Sequence, residues 1–395
     1  MLAAAVLLIT NVTVIDGTGA PPGAPQSILI RNGRIVSVNA PSLPPRDAEV
    51  LDGTGKFLIP GLWDMHTHVL ADAGRAFPKL LAAGVTGIRN MHEQAQDALG
   101  LALRIRREVE REERIGPRII ANGPILDGPS PTYPGSIGVG DAAVARRTVR
   151  TLRSRGADFV KVYDLLPRDA YFAIAAEAGK ARLPVAGHVP IWVSAEEAAR
   201  SGQRSIEHLS GVFEACTADG NLDRQLKQAA NLWAIARPIA AQQMHEVVRK
   251  AAATYDPSIC HPLFLLFAEK RVWQCPTLCM LGAVQNAGMK VVRQMKEAGL
   301  QILAGTDAGN RGSEPGESLH RELELLVEAG LTPMEALQAA TRNAAEYLGK
   351  QKEWGTIEKG KAADLVLLDA NPLEDIRNTR RISAVVIRGR VLPSH

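Results

Sequence analysis

The sequence predicts an α/β fold: a (β/α)8 TIM barrel accompanied by a small β-sandwich built from both chain ends. Three observations carry this expectation. Short apolar runs alternate with helical patterns through the centre, and both ends read as short strands with turn punctuation. At 395 residues the chain is also long enough for a barrel of roughly 250 residues plus something smaller. Hydrophobic residues make up 46% and charged residues 22%, so a large core can be buried.

Residues 1–59 supply the N-terminal part of the sandwich. VLLITNVTVID, SILIRNGRIVSV and AEVLDGTGKFLI run apolar or alternate between Gly, Pro, Asn and Asp clusters. Asn32-Gly33 is a two-residue hairpin signal. Residues 349–395 share this texture, with GTIEKGKAADLVLLD followed by ISAVVIRGRVL. Neither end alone offers enough strands for an independent core, so the two are expected to combine.

Residues 60–348 form the predicted barrel. PGLWDMHTHV, VTGIRNM, RIIANGP, DFVKVYD, LPVAGHVP, SIEHLSG, WQCPTL and QILAGTDA are the candidate strands, in that order. Helical patterns separate them, for example over 97–114, 142–155 and 168–180. Such a repeat favours a parallel barrel over an open sheet. Residues 220–272 are long for one connection and are expected to carry extra helices over the active-site face. Thr332, Pro333 and Glu335 form a capping box with Pro at the first helical position, opening a helix to about Tyr347.

Charge and cysteine content narrow the function classes. The formal net charge of +4, with no lysine-rich tail, gives no electrostatic case for nucleic acid. Arg104 to Arg118 alternates Arg with Glu and reads as a solvated helix face. No apolar run reaches the roughly 18 residues of a membrane span. The opening MLAAAVLLIT resembles the apolar part of a signal peptide, but lacks a basic start and leads directly into the strand-like NVTVIDGTG. A mature cytoplasmic chain is the favoured expectation, with a secreted form as the alternative. Four cysteines are too few for a disulfide framework. Cys275 and Cys279 are expected as buried free thiols, while Cys216 and Cys260 could pair in a secreted protein.

In a barrel of this kind the active site lies at the C-terminal ends of the strands. His66 and His68 close the first run, and side chains two apart on a strand share a face. Lys161 lies in the fourth strand, His188 ends the fifth, His208 the sixth and Asp307 the eighth. A lone strand histidine is more often a satisfied core residue. Four of the nine histidines at strand ends, joined by a lysine and an aspartate, point instead to bound metal. Imidazole and carboxylate donors suit Zn, Mn, Fe or Ni.

The segment PGLWDMHTH resembles the HxH signature of the amidohydrolase superfamily, and GTDAG resembles its strand-eight aspartate. GTIEKGKAADLVLLDANPLEDI is similar to its C-terminal sandwich return. The resemblance covers essentially the whole chain. It lies nearest the branch containing imidazolonepropionase and the Xaa-Pro dipeptidase-like and N-acyl-amino-acid hydrolases. It implies two divalent metal ions, zinc first among the candidates: His66, His68 and Asp307 would hold one, and His188 and His208 the other. Lys161, carboxylated by CO2, would bridge them. A free ammonium beside two cations would be repelled, whereas a carbamate neutralises the site. Asp307 would take a proton from the attacking water and pass it to the leaving group. Members of the family often assemble, so a homo-oligomer acting on a small-molecule substrate is expected.

Tyr163, two residues after Lys161, is a candidate substrate contact or a barrel aromatic. His92 follows the second strand, Tyr133 lies in the loop DGPSPTYPGS, and Arg311 is a candidate anchor for an anionic substrate group. His320 reads as structural or supporting, and His245, His261 and His395 belong to no motif. SPTYPG replaces the GGH-like run that dipeptidase-like members often carry, Val189-Pro190 follows His188, and Asn90 stands where relatives often have Asp. The expected activity is amide hydrolysis on N-acyl amino acids or dipeptides. Hydrolysis of esters, carbamates, organophosphates or cyclic amides is the alternative, and an inactive scaffold is the remote one.

Overall fold

The computed structural model describes residues 6–41, 43–310 and 312–392, and shows an α/β architecture. The N-terminal strands are β1 (Val6–Val14), β2 (Gln26–Arg31), β3 (Arg34–Val38), β4 (Ala48–Asp52) and β5 (Phe57–Pro60). The hairpin expected at Asn32-Gly33 joins β2 to β3 antiparallel. Both turn residues hold positive φ, 51° and 72°, as a type I′ turn demands.

The centre alternates as its sequence does. It comprises β6 (Leu62–Thr67), α1 (Ala73–Ala82), β7 (Val85–Asn90), α2 (Ala98–Glu110), β8 (Arg118–Ala121), β9 (Ile125–Asp127) and β10 (Ile137–Gly138). There follow α3 (Ala142–Arg155), β11 (Val160–Val162), α4 (Arg168–Ala181), β12 (Val185–Gly187), α5 (Ala195–Arg200) and β13 (Gln203–Glu207). A helical insertion, α6 (Val212–Ala215), α7 (Asn221–Asn231), α8 (Arg237–Ala253) and α9 (Pro257–Lys270), precedes β14 (Trp273–Cys275). The centre ends with α10 (Gln285–Glu297), α11 (Glu317–Glu328), α12 (Pro333–Ala339) and α13 (Arg342–Tyr347).

The central strands pair in parallel, in two sheets ordered β6-β7-β8 and β10-β9-β11-β12-β13-β14. Backbone bonds link their edges. Asp158 donates to the Ala121 carbonyl at 2.9 Å, joining the β8 end to the start of β11. Residues 301–308 lie between β14 and β6 without forming a regular strand. Leu303 N–H donates to Gln274 O at 2.8 Å on one side, and Met65 N–H to Ala304 O at 2.9 Å on the other. Strand-like alternation at QILAGTDA is therefore realised as isolated bridges, because the segment turns early to present Asp307. The helix expected from Thr332 to Tyr347 is likewise two helices, broken at Thr341, although its capping box forms as expected.

The C-terminal strands β15 (Leu365–Leu368), β16 (Ile382–Ile387) and β17 (Arg390–Val391) join β5 and β1 in one sheet, so both chain ends share it. Its apolar faces meet in a separate core of Leu7, Ile9, Ile28, Ile30, Leu365 and Val386. No helix of the described residues is long and apolar enough to cross a membrane.

Cys216 and Cys260 are disulfide-bonded and fully buried, tying the end of α6 to α9. Cys275 and Cys279 are free, the first fully buried and the second half-buried.

Candidate active site

Sharp turns at the strand ends bring the site together. His208, Thr277 and Asp307 all hold left-handed backbone, at φ 59°, 48° and 59°. Non-glycine residues in this region are strained by roughly 1–3 kcal/mol each, a cost that clusters where side chains must be aimed. Gly309 completes the turn after Asp307: at φ 98°, a Cβ there would stand 2.0 Å from the His68 carbonyl oxygen.

The six strand-end residues predicted from sequence converge. His66 Nε2 lies 3.4 Å and His68 Nε2 3.0 Å from Asp307 Oδ1. Lys161 Nζ stands 3.2 Å from His66 Nε2. Ligand atoms of His66, His208 and Asp307 all fall within 4.8 Å of one another. The rings of His188 and His208 are 5.0 Å apart, and those of His66 and His208 4.5 Å.

What orients these imidazoles is a set of acceptors at their outer nitrogens. His66 Nδ1 meets Glu207 Oε2 at 3.0 Å, and His68 Nδ1 meets the His92 carbonyl at 2.9 Å. His188 Nδ1 meets Asp164 Oδ1 at 2.7 Å, and His208 Nδ1 meets Thr277 Oγ1 at 2.6 Å. An acceptor at Nδ1 fixes the proton there and leaves Nε2 as a lone-pair donor, the arrangement that supports histidine ligands to metals. His188 Nε2 is buried and has no hydrogen-bond partner. A buried polar atom without a partner is costly, and a cation would satisfy it. The donor set therefore fits divalent metal.

Electrostatics agree. Burial, then the charges of Lys161 and His208, hold the His66 imidazole well below its usual range. Burial likewise takes His208 to about 3, so both rings stay neutral. Burial alone would raise Asp307, but its contact with His68 and the nearby imidazoles hold it well below the carboxylate range. Burial brings Lys161 down to about 8 despite Asp307 and Glu207.

Beneath the site lies a buried network that sequence reasoning missed. Arg89 donates to both oxygens of Glu207 at 2.9 and 2.8 Å, to Ser205 Oγ at 3.0 Å and to the Met65 carbonyl at 2.6 Å. Burial works against the guanidinium's charge, yet Glu207 raises its pKa above the ordinary value. The available signal was a lone arginine inside the apolar run VTGIRNM. Cys275 lies close enough to His66 and Glu207 to suggest a second ligand group, but burial pushes its thiol up and Glu207 is committed to Arg89.

The weaker candidates divide. Tyr163 packs its ring 4.0 Å from that of His188 and 5.7 Å from that of Tyr133, and both tyrosines line a cavity of about 740 Å³. Asp127 pins the Tyr133 loop by accepting from Gly128, Thr132 and Leu165 at 2.8–2.9 Å. His92 lines a second cavity of about 730 Å³, on the His68 side, with Nε2 3.0 Å from the Pro134 carbonyl. Arg311 and His395 lie outside the described residues. His320 is buried against Thr379, away from the site. His245, which no motif singled out, lines the larger cavity.

Comparison with known proteins gives this arrangement a context. A family model described as Amidohydrolase family matches residues 57–392. The ochratoxinase of Aspergillus niger is 26% identical over 384 residues, covering 83% of this chain and 73% of its own. The imidazolonepropionase of Rubrobacter xylanophilus is 28% identical over 400 residues, covering 94% and 91%. Among solved structures, a Xaa-Pro dipeptidase with methionine bound in its active site matches with a TM-score of 0.74 at 21% identity, covering 99% of this chain and 100% of that one. That last likeness concerns the fold. Since the family match spans well over half the sequence, the chain belongs to the amidohydrolase family and is an enzyme acting on carbon–nitrogen bonds.

Proposed function

We propose that this protein is a dinuclear metal-dependent hydrolase that cleaves the amide bond of N-acyl amino acids or dipeptides. The observation that carries the reading is the convergence of His66, His68, His188 and His208, each fixed at Nδ1, around Lys161 and Asp307. His66, His68 and Asp307 would hold one ion, and His188 and His208 the other. Lys161 Nζ would add CO2, forming an N–C bond and releasing a proton, to give a bridging carbamate. When bound, two divalent cations, zinc foremost, supply a water ionised near neutral pH and polarise the carbonyl under attack.

The chain's own residues do the rest. Asp307, free of protons at rest, accepts the water proton and delivers it to the leaving nitrogen. Its second task is positional, since Oδ1 also accepts from Asn310 Nδ2 at 2.8 Å. Tyr163 and Tyr133 close one wall over the reacting carbonyl. On the opposite side, Arg75 lines the second cavity beside His68 and His92, where it offers a cation to a substrate carboxylate. In architecture, the central strands form a closed barrel over 60–348 with residues 301–304 in eighth place. The two ends, 1–59 and 349–395, form the accompanying sandwich.

The test is hydrolysis by Zn- or Mn-reconstituted protein over N-acyl amino acids, dipeptides, aryl esters, carbamates and lactams, with Asp307→Asn alongside. Turnover confined to substrates with a free α-carboxylate supports the reading. Turnover of neutral esters or carbamates alone moves the assignment to those substrates.

A further inference from the structure

The helical insertion supplies one wall of the larger cavity, the strand-end loops the rest. Phe213, Leu226, Trp233, Met244 and Val248 line it, and it opens onto His188 and His208. Into this apolar space faces one carboxylate that the chemistry above does not use. Glu214, on α6, has no hydrogen bond beyond its own backbone among the described residues. Asp164 and Asp223, which line the same cavity, both act against its charge, and Asp223 has its own partner in Lys227 at 2.8 Å. No lysine or arginine lines the cavity among the described residues. Arg237 sits over the Trp233 ring at 5.1 Å and donates to the Pro131 carbonyl at 3.2 Å. Trp233 Nε1 is itself buried without a partner.

A carboxylate in an apolar wall, without a hydrogen-bond donor from a neighbouring side chain, is stabilised when a cation enters. An apolar wall around it selects the stem on which that cation rides. We propose that Glu214 makes this cavity the subsite for a substrate group carrying a primary amine or guanidinium on an apolar stem. The proposal rests on the amide-hydrolase reading for its reaction but not for its binding.

The experiment therefore has two readouts on the metal-loaded enzyme. Calorimetry compares n-hexylamine with n-hexanol, a pair differing only in the charged end. Initial rates compare N-acyl-lysine with N-acyl-norleucine. A charge-assisted hydrogen bond in a desolvated pocket is expected to favour the amine by about tenfold or more. Glu214→Gln, which keeps the shape and removes the charge, should erase that preference in both readouts. Equal binding of amine and alcohol, or a preference that survives in Glu214→Gln, overturns the proposal. Amine selectivity in binding without turnover of either amide would leave the subsite standing and sink the reaction assigned to it.

Discussion

Glu207 Oε2 receives His66 Nδ1 at 3.0 Å while Arg89 clamps the same carboxylate, so one buried acid on β13 ties β6 to β7. Glu207→Gln leaves the buried Arg89 guanidinium without its counter-charge, so it is expected to lower stability as well as loosen the His66 ring. Metal affinity or turnover should fall roughly 10- to 100-fold, as titration with a competing chelator would read. Unchanged affinity would show that Glu207 serves packing alone.

Arg89→Met should likewise damage stability. It strands Glu207 as an uncompensated buried charge, at a cost of about 3–5 kcal/mol. The double variant Arg89→Met with Glu207→Gln should recover much of that loss in denaturant unfolding; a double variant no better than the single would argue against the pairing.

Asp307→Asn should unfold near the wild-type midpoint yet lose turnover by about 10²–10⁴-fold, the usual contribution of a positioned proton acceptor. Wild-type-like rates with metals still bound would remove Asp307 from its role.

Lys161→Arg tests the carbamate, because a guanidinium keeps its charge and does not take up CO2. Elemental analysis should find the variant depleted of metal, and wild-type protein refolded in CO2-free buffer should load more slowly than protein given bicarbonate.

His320 offers a pH-dependence remote from the site. Burial, followed by the charge of Arg380, lowers it to about 4 from its ordinary 6.5, so the folded state keeps the ring neutral. Its contribution is fully present above pH 6.5 and is lost as pH falls toward 4. About 3 kcal/mol should disappear over that window, and His320→Gln should flatten this part of the stability profile.

The disulfide closes a span of 44 residues, for which chain entropy suggests up to about 4 kcal/mol. Replacing Cys216 and Cys260 together by Ala should lower the melting temperature, and thiol titration of unreduced protein should find two free cysteines rather than four.

The strand-end residues were legible because period-2 alternation and a strand's C-terminus are both written locally. His66 and His68 share a face by spacing alone, and six chemically apt residues at successive strand ends could be read without knowing any distance. Arg89, Glu207, Asp164 and Thr277 were not, because their meaning lies in pairing across sequence separations of 24 to 141 residues. Glu214 and Trp233 were harder still. They sit on α6 and in the turn between α7 and α8, whose placement over the site depends on tertiary packing, and nothing in residues 212–270 fixes that beforehand. The eighth segment misled for a local reason: its alternation is real, but it pairs with its neighbours only through isolated bridges, at Ile302 and Ala308.

The anchorage of α6 to α9 by Cys216 and Cys260 has an evolutionary side. The residues proposed to break the bond sit at strand ends, whereas part of the wall that would meet the substrate belongs to an appendage fastened by its own cross-link. Mutations in that appendage can redraw which molecules are admitted while the machinery that breaks the bond is inherited unaltered, so new specificities can arise here by drift rather than by reinvention.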